Sequence, residues 1–345
     1  AVRGRAPRLL LNFPMLYQKL RPDNFVTDTP ETPEDTPSRW QTFVFWLVND
    51  ARYLDRTRFR SPRSLDLWRL IPFLAIHLGC FAVIWVGISW FAVALALSLY
   101  LGRMFLITAF YHRFFAHRAF ESSRSFRLLV AVLGCTAGQR GPIWWASHHR
   151  QHHLHSDTAL DPHSPQTDTF WFSHVLWFLT RDAFPIRWKQ VKDLKKCREL
   201  VVLERFDWVP LMALGVLCFF IGDWAQASYP GLETSGWQTL VWGFFISTTA
   251  LYHATYTINS LAHRYGRRRF DTPDHSRNNF LLALLTLGEG WHNNHHRYPG
   301  AARQGFYWWE VDLSYMGLRV LKTLGLVWNL RPVPSKILEA GRARR

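Results

Sequence analysis

Two long stretches of this 345-residue chain are nearly free of charged side chains, and they constrain its fold more than any other feature. From Leu70 to Gly102 there is no Asp, Glu, Lys or Arg, and from Trp208 to His263 there is no Lys or Arg. A membrane-spanning helix needs roughly 20 predominantly apolar residues. The second stretch is long enough for two such helices, and so is the first, because its helix pattern continues to Phe110. Runs of this kind favour membrane spans over the alternative, buried helices of a soluble protein.

The sequence therefore predicts an all-α integral membrane protein with four transmembrane helices arranged as two hairpins. The predicted spans are about 70–88, 90–110, 208–223 and 237–258. The first hairpin should turn tightly near Gly87–Ser89, and the second should turn in a loop that contains Pro230 and Gly231.

The positive charges predict the orientation in the membrane. All 41 Lys and Arg residues lie in the N-terminal region, in residues 103–207 or after residue 263, and none lies in the loops between paired spans. Short loops rich in Lys and Arg stay cytoplasmic, so both termini and the region between the hairpins are expected to be cytoplasmic. The net charge of +16 then indicates attraction to anionic lipid headgroups of the bilayer. Nucleic-acid binding is not indicated, because the chain has no motif for it.

The rest of the chain divides into an N-terminal segment and one membrane domain. Residues 1–39 include the acidic, proline-rich run TDTPETPEDTP and are predicted to be disordered. Residues 40–345 form the predicted membrane domain, in which 311–327 has the pattern of an amphipathic helix. The four cysteines form no CxxC motif, so no disulfide framework or iron–sulfur site is predicted.

Most of the 16 histidines fall in three clusters. YHRFFAH holds His112 and His117, five residues apart. Two further clusters share the spacing HxxHH: His149, His152 and His153, and His292, His295 and His296. Residues i, i+3 and i+4 share a face of an α-helix, so each HxxHH directs three imidazoles to one place. His112 and His117 do not share a face, so we expect the second span to end or bend between them.

The predicted topology places all three clusters on one side of the membrane, because an even number of spans separates them. Eight clustered imidazoles exceed the four ligands of a tetrahedral zinc site, which indicates a capacity for two metal ions. Nitrogen ligands suit Fe, Zn, Cu or Ni.

The motifs H-x4-H, HxxHH and HNNHH, interleaved with two hairpins, resemble the membrane-bound fatty-acid desaturases, in particular the acyl-CoA (stearoyl-CoA) desaturase-like branch. GEGWHNNHHRYP, DPHS and NSLAH also match this family's patterns, and the resemblance runs from about residue 65 to 330. It implies O2-dependent desaturation of a long-chain fatty acyl substrate, as acyl-CoA or acyl-lipid, which inserts a cis double bond. It also implies two iron ions (Fe²⁺/Fe³⁺), held under the spans by a helical cytoplasmic cap.

The same resemblance implies a set of ligands for each iron. The first iron would be bound by His112, His117, His149, His153 and His295. The second would be bound by His152, His263, His292 and His296, with Asn259 acting through a water molecule. His263 and Asn259 rest on the resemblance alone, because nothing in TINSLAHRYG selects them.

The chemistry needs a strong oxidant, because the hydrogens are removed from unactivated methylenes. Side-chain acids and bases cannot supply it, whereas a metal centre that activates O2 can. The chain has no haem or ferredoxin motif, so a separate electron donor is expected, such as cytochrome b5 or a ferredoxin-type protein. Glu289, Asp157 and Asp161 flank the histidine motifs, and we predict that they accept hydrogen bonds from ligand imidazoles. Solvated or capping carboxylates are the alternative.

The residues expected near the substrate headgroup depart from the family pattern. Animal acyl-CoA desaturases have Arg-Asp before the middle motif and Arg-Lys after the next amphipathic helix, where this chain has Ser147-His148 and Arg181-Asp182. We expect Arg181 to contact phosphate, and Tyr256 to replace a substrate-contacting Trp. The carrier, CoA or lipid, stays open. The alternative functions are a diiron hydroxylase or other oxygenase on the same scaffold, and a metal transporter or storage protein.

Overall fold

The computed structural model describes residues 36–57, 61 and 63–343, and this part of the chain is mostly helical with almost no strand. The longer helices are α1 (Arg39–Leu47), α2 (Leu67–Val86), α3 (Trp90–Ala116), α4 (Arg124–Cys135), α5 (Pro142–His155), α6 (Arg198–Arg205), α7 (Trp208–Ser228), α8 (236–260), α9 (Phe280–Leu285), α10 (His292–Arg297), α11 (Leu313–Thr323) and α12 (Ser335–Arg342). Shorter helical turns are Ala51–Thr57, Phe172–Leu176, Trp177–Leu179, Trp188–Gln190, Leu194–Lys196, Pro230–Leu232 and Leu261–His263. Strands β1 (Glu121–Ser122) and β2 (Val327–Trp328) pair antiparallel.

The chain divides into two compact units between residues 57 and 58. In the first unit, Ser38 caps α1: its hydroxyl accepts a hydrogen bond from the backbone of Gln41 (3.2 Å), whose side chain accepts one from the backbone of Ser38 (2.8 Å). The second unit holds the apolar helices and the histidine clusters. The segment 1–39, predicted to be disordered, lies almost wholly outside the described residues.

Three of the four predicted spans are long and apolar enough to cross a membrane, namely α2, α3 and α7. Their apolar surface faces outwards: only 11% of the most apolar part of α2 and 33% of that of α3 are buried. A surface of this kind is stable against lipid rather than water, so the protein is membrane-associated. α8 occupies the place of the fourth predicted span. It carries several hydroxyl side chains and is not one of the three helices that are long and apolar enough to cross a membrane.

Both helical hairpins close over short turns. The tight turn predicted near Gly87–Ser89 is confirmed, because α2 ends at Val86 and Gly87 adopts a φ of +67° that favours glycine. The Ser89 hydroxyl then caps α3 by accepting a hydrogen bond from the backbone of Ala92 (3.2 Å).

The end of α3 positions the first pair of histidines. From Leu106 to Ala116 the helix is wound as a π-helix, and the His117 backbone N–H donates to the His112 carbonyl (3.1 Å). This i→i+5 pattern places residues five apart on one face, unlike an α-helix. The helix ends before His117, as expected, but no bend is needed, because the π-winding brings the two rings to 4.8 Å between centroids.

Candidate metal centre

The two HxxHH motifs lie on α5 and α10, and each divides its imidazoles between two neighbouring clusters. On α5, His149 and His153 turn to one cluster and His152 to the other. On α10 the division is reversed. His295 joins the cluster of His149 and His153, whereas His292 and His296 join the cluster of His152. Each motif therefore supplies an i, i+4 pair to one cluster and a single ring to the other.

The five-histidine cluster contains His112, His117, His149, His153 and His295. Its Nε2 atoms form a chain of close contacts: 2.8 Å from His117 to His149, 3.0 Å from His149 to His153, 2.9 Å from His153 to His295, and 3.0 Å from His295 to His112. The four-histidine cluster contains His152, His263, His292 and His296. Within it the Nε2 atoms of His263 and His292 are 3.0 Å apart. This division is the one that the family resemblance implies.

Carboxylates contact the outward nitrogens of four of these rings. Asp161 accepts from Nδ1 of His152 (3.0 Å), Asp157 from that of His263 (3.0 Å) and Asp274 from that of His296 (2.8 Å), all in the four-histidine cluster. Glu289 pairs with Nδ1 of His112 in the five-histidine cluster. A hydrogen held on Nδ1 leaves a lone pair on Nε2, so the carboxylates fix the tautomer that a metal ion needs.

Titration favours the same protonation states. Burial raises the pKa of Asp157, Asp161 and Asp274, but the histidines beside them outweigh it and hold each pKa below its usual range. Burial, reinforced by neighbouring imidazoles, holds the pKa of His149, His153 and His295 well below the ordinary 6.5. Burial also lowers the pKa of His296 to about 4, although Asp274 opposes it. These rings are neutral at pH 7 and can offer lone pairs.

Glu289 belongs to a buried ionic network. Arg113, of which only 1% is exposed, donates to Glu289 (3.2 Å), to Asp312 (3.0 Å) and to the carbonyl oxygen of Ala302 (2.9 Å). Gln304 donates to Glu289 (3.2 Å) and lies 3.2 Å from Nδ1 of His112. The carboxylate beside the five-histidine cluster is therefore held in place and its charge is compensated.

The arrangement fits a pair of bound metal ions. Each Nε2 atom of a neutral imidazole carries either one hydrogen or one lone pair, so it can take part in one hydrogen bond. Three of the five Nε2 atoms have two neighbours, so hydrogen bonds cannot satisfy all four contacts of the five-histidine cluster. His296 Nε2 in the other cluster is buried and has no partner among the described residues. Two nitrogens at right angles on an ion, each about 2.1 Å from it, lie about 3.0 Å apart, which matches the observed spacing.

A small cavity of about 40 Å³ adjoins both clusters. Its lining includes the ligand-type residues His112, His149, His263 and Asn259. It also includes apolar residues such as Met104, Ile107, Trp145 and Ile258. A lining of this kind places apolar side chains, which suit a hydrocarbon, next to the metal-binding side chains.

Two residues whose side chains make close polar contacts with ring nitrogens of the clusters were not found from the sequence. Asp274 lies in the loop DTPDHS, 22 residues before its partner His296. Gln304 lies 3.5 Å from His295 Nδ1, as well as close to His112. The sequence offered one indication that acceptors were missing. Every ligand imidazole needs an acceptor for its second nitrogen, and the three predicted carboxylates are too few to serve all nine rings.

The two predicted substrate residues lie apart from the cavity. Tyr256 is buried against Phe178 and His174, with ring centroids 4.9 and 5.8 Å away. The Arg181 side chain is buried, and its backbone N–H donates to the Ser64 carbonyl (3.2 Å). Neither lines the cavity beside the clusters, as far as the described residues define it.

Known proteins provide an independent comparison. Residues 88–313 match the family model for fatty acid desaturases. The chain is 37% identical over 271 residues to an sn-1 stearoyl-lipid 9-desaturase of Anabaena variabilis, covering 76% of this chain and 93% of that protein. It is 36% identical over 299 residues to an acyl-CoA 5-desaturase of Anemone leveillei, covering 84% and 88%. It is 36% identical over 321 residues to an sn-2 palmitoyl-lipid 9-desaturase of Nostoc sp. (strain 36), covering 91% and 97%.

The family model covers well over half of the chain and includes both HxxHH motifs, the cavity and α3. Similarity thus extends over the spans and the metal-binding residues together. The chain belongs to the fatty acid desaturase family.

Proposed function

We propose that the protein binds two iron ions and uses O2 to insert a cis double bond into a long-chain fatty acyl substrate. The single observation that carries this proposal is the convergence of nine imidazoles into two adjoining clusters beside a partly apolar cavity. The five-histidine cluster would bind one iron. The four-histidine cluster would bind the other, with Asn259 reaching it through water.

Bound iron supplies the oxidant that can remove hydrogen from an unactivated methylene. The reaction removes two hydrogen atoms from neighbouring carbons. O2 is reduced to two water molecules by these two hydrogens together with two electrons and two protons. The electrons come from a separate donor, such as cytochrome b5 or a ferredoxin-type protein.

The side chains around the cavity position the substrate and exclude water. Trp145 stacks on His149, with 4.8 Å between ring centroids, and its indole forms part of the cavity wall. Met104 and Ile107, one turn apart on α3, continue this wall. A straight acyl segment is therefore held against apolar side chains, with the metal-binding nitrogens opposite.

The membrane arrangement we propose has four spans, in two hairpins, with both termini and the metal centre in the cytoplasm. α8 is the fourth span. The distribution of Lys and Arg supports this orientation. The positions of the histidines support it too, because His117 follows the end of α3 and His263 follows the end of α8.

Expression in a host that lacks unsaturated fatty acids tests the proposed function. We expect unsaturated chains to appear, with double bonds that mass spectrometry can map, and about two iron atoms per purified chain. His296→Ala should abolish the double bonds while the protein remains in the membrane. A hydroxylated chain in place of an alkene, or a purified protein that binds another metal and no iron, would contradict the proposal.

A further inference from the structure

An apolar groove of about 540 Å³ lies between α3 and α8, beside the metal centre. Its walls include Val93, Leu97 and Tyr100 of α3 and Trp242, Ile246 and Ala250 of α8. Leu97 and Ala250 are exposed, so the groove opens sideways from the protein. Because α3 is a candidate span, an opening along it can face the lipid chains of a bilayer.

The groove adjoins the cavity that holds the metal-binding side chains. Along α3, Tyr100 lines the groove and Met104, on the next turn, lines the cavity. Leu285, at the end of α9, lines the groove, and the following Thr286 lines the cavity. A hydrocarbon chain in the groove therefore lies at the edge of the cavity.

Two histidines in the groove wall are already occupied by hydrogen bonds. His253 Nδ1 lies 3.1 Å from His174 Nε2, and its Nε2 lies 3.2 Å from Nε2 of His77. His174 Nδ1 lies 2.9 Å from the Ser260 hydroxyl. The rings thus present mainly carbon to the groove, which suits a hydrocarbon chain rather than a polar headgroup.

Two arginines beside α5 are also engaged in ion pairs. Arg187 pairs with Asp182 (3.1 Å), and Arg140 pairs with Asp207 (2.9 Å). A soluble nucleotide carrier with several phosphates is recognised by guanidinium groups that are free to bind it. Here two guanidinium groups near the start and middle of α5 already contact carboxylates.

We propose that the groove admits the acyl chain of a membrane glycerolipid sideways from the bilayer, so that the enzyme desaturates acyl-lipids in place. This inference rests on the proposed function and adds its substrate carrier and its route of entry. A chain that enters between α3 and α8 stays in an apolar environment throughout, whereas a chain delivered through the cytoplasm must cross water.

Two substrate analogues that cannot exchange their chains test the carrier. One is a phospholipid with a ¹³C-labelled octadecyl chain in ether linkage, and the other is the matching thioether of CoA. Each is added to membranes of the expressing host, which supply the electron donor. We expect the ether lipid to be desaturated at least ten times faster than the CoA analogue. Desaturation of the CoA analogue alone, or of neither analogue in membranes that make unsaturated lipids, would overturn the inference and leave the proposed function intact.

A matched pair of substitutions tests the route. Ala250→Trp places an indole in the mouth of the groove. Ala94→Trp places one on the exposed face of α3 outside it. We expect Ala250→Trp to reduce ether-lipid desaturation at least tenfold with an unchanged iron content, and Ala94→Trp to reduce it less than twofold. Equal losses in the two variants, or none in Ala250→Trp, would refute the sideways route.

Discussion

The two histidine clusters use the same kind of ligand but have different surroundings. Three aspartates contact the four-histidine cluster, and among the described residues none of the three pairs with Lys or Arg. The five-histidine cluster has one carboxylate, Glu289, whose charge is shared with Arg113. The four-histidine cluster is therefore the more anionic. We expect it to hold a metal ion more tightly and the other to depend more on packing.

Removing a ligand from either cluster should have the largest effect, and α5 offers a matched set for the comparison. His152→Ala affects the four-histidine cluster and His153→Ala the five-histidine cluster. His155→Ala removes a ring on the same helix that belongs to neither. We expect the first two to abolish desaturation and to remove about one metal ion each, as measured by elemental analysis. Retained activity in either, or its loss in His155→Ala, would contradict the assignment of ligands.

Asp274→Ala tests the anionic surroundings of the four-histidine cluster. Loss of the acceptor for His296 Nδ1 should lower metal affinity or turnover by roughly 10- to 100-fold. Asp274→Asn should restore part of the lost affinity or turnover, since its amide oxygen can still accept a hydrogen bond from His296 Nδ1. Asp271→Ala is the control, because that carboxylate is 82% exposed. If the two alanine variants behave alike, Asp274 does not orient the ligand.

The contrast between the clusters also separates what the sequence can predict from what it cannot. HxxHH spacing and long apolar runs are local patterns, and they locate α5, α10 and three apolar helices. The pairing of Asp274 with His296 depends on how a loop folds back on α10, which no local pattern encodes. The same holds for Gln304. His263 and Asn259 could be assigned only from the family resemblance.

The π-helix at the end of α3 illustrates a second limit. His112 and His117 are five residues apart, which on an α-helix directs them away from each other. The sequence indicates that regular winding must stop there, but not whether by a bend or by wider winding. The observed π-winding keeps the helix continuous and therefore keeps the rings close to α5. The substrate roles of Arg181 and Tyr256 stay predictions, because both residues lie apart from the cavity.

Glu289→Gln tests the compensated carboxylate of the five-histidine cluster. The glutamine keeps the shape but removes the charge that Arg113 and His112 share, while Asp312 still contacts Arg113. We expect a loss of about 2 kcal/mol in the free energy of unfolding, because a hydrogen-bonded buried charge loses one partner. Thermal unfolding in detergent measures it. An unchanged unfolding temperature would show that Asp312 alone compensates Arg113.

Acidification of the metal-free protein should produce the smallest effect and still distinguish the clusters. The folded pKa of His153 lies well below 6.5, so between pH 6.5 and 5 the unfolded chain takes up a proton that the folded one does not. Each such histidine removes up to about 1.4 kcal/mol of stability per pH unit as pH falls. The pKa of His152 is raised, because Asp161 outweighs its burial, so the folded chain takes up this proton at least as readily as the unfolded chain. We therefore expect His153→Gln to flatten the fall of the unfolding temperature with pH and His152→Gln to leave its slope unchanged. Equal slopes in both variants would show that Asp161 does not raise the pKa of His152.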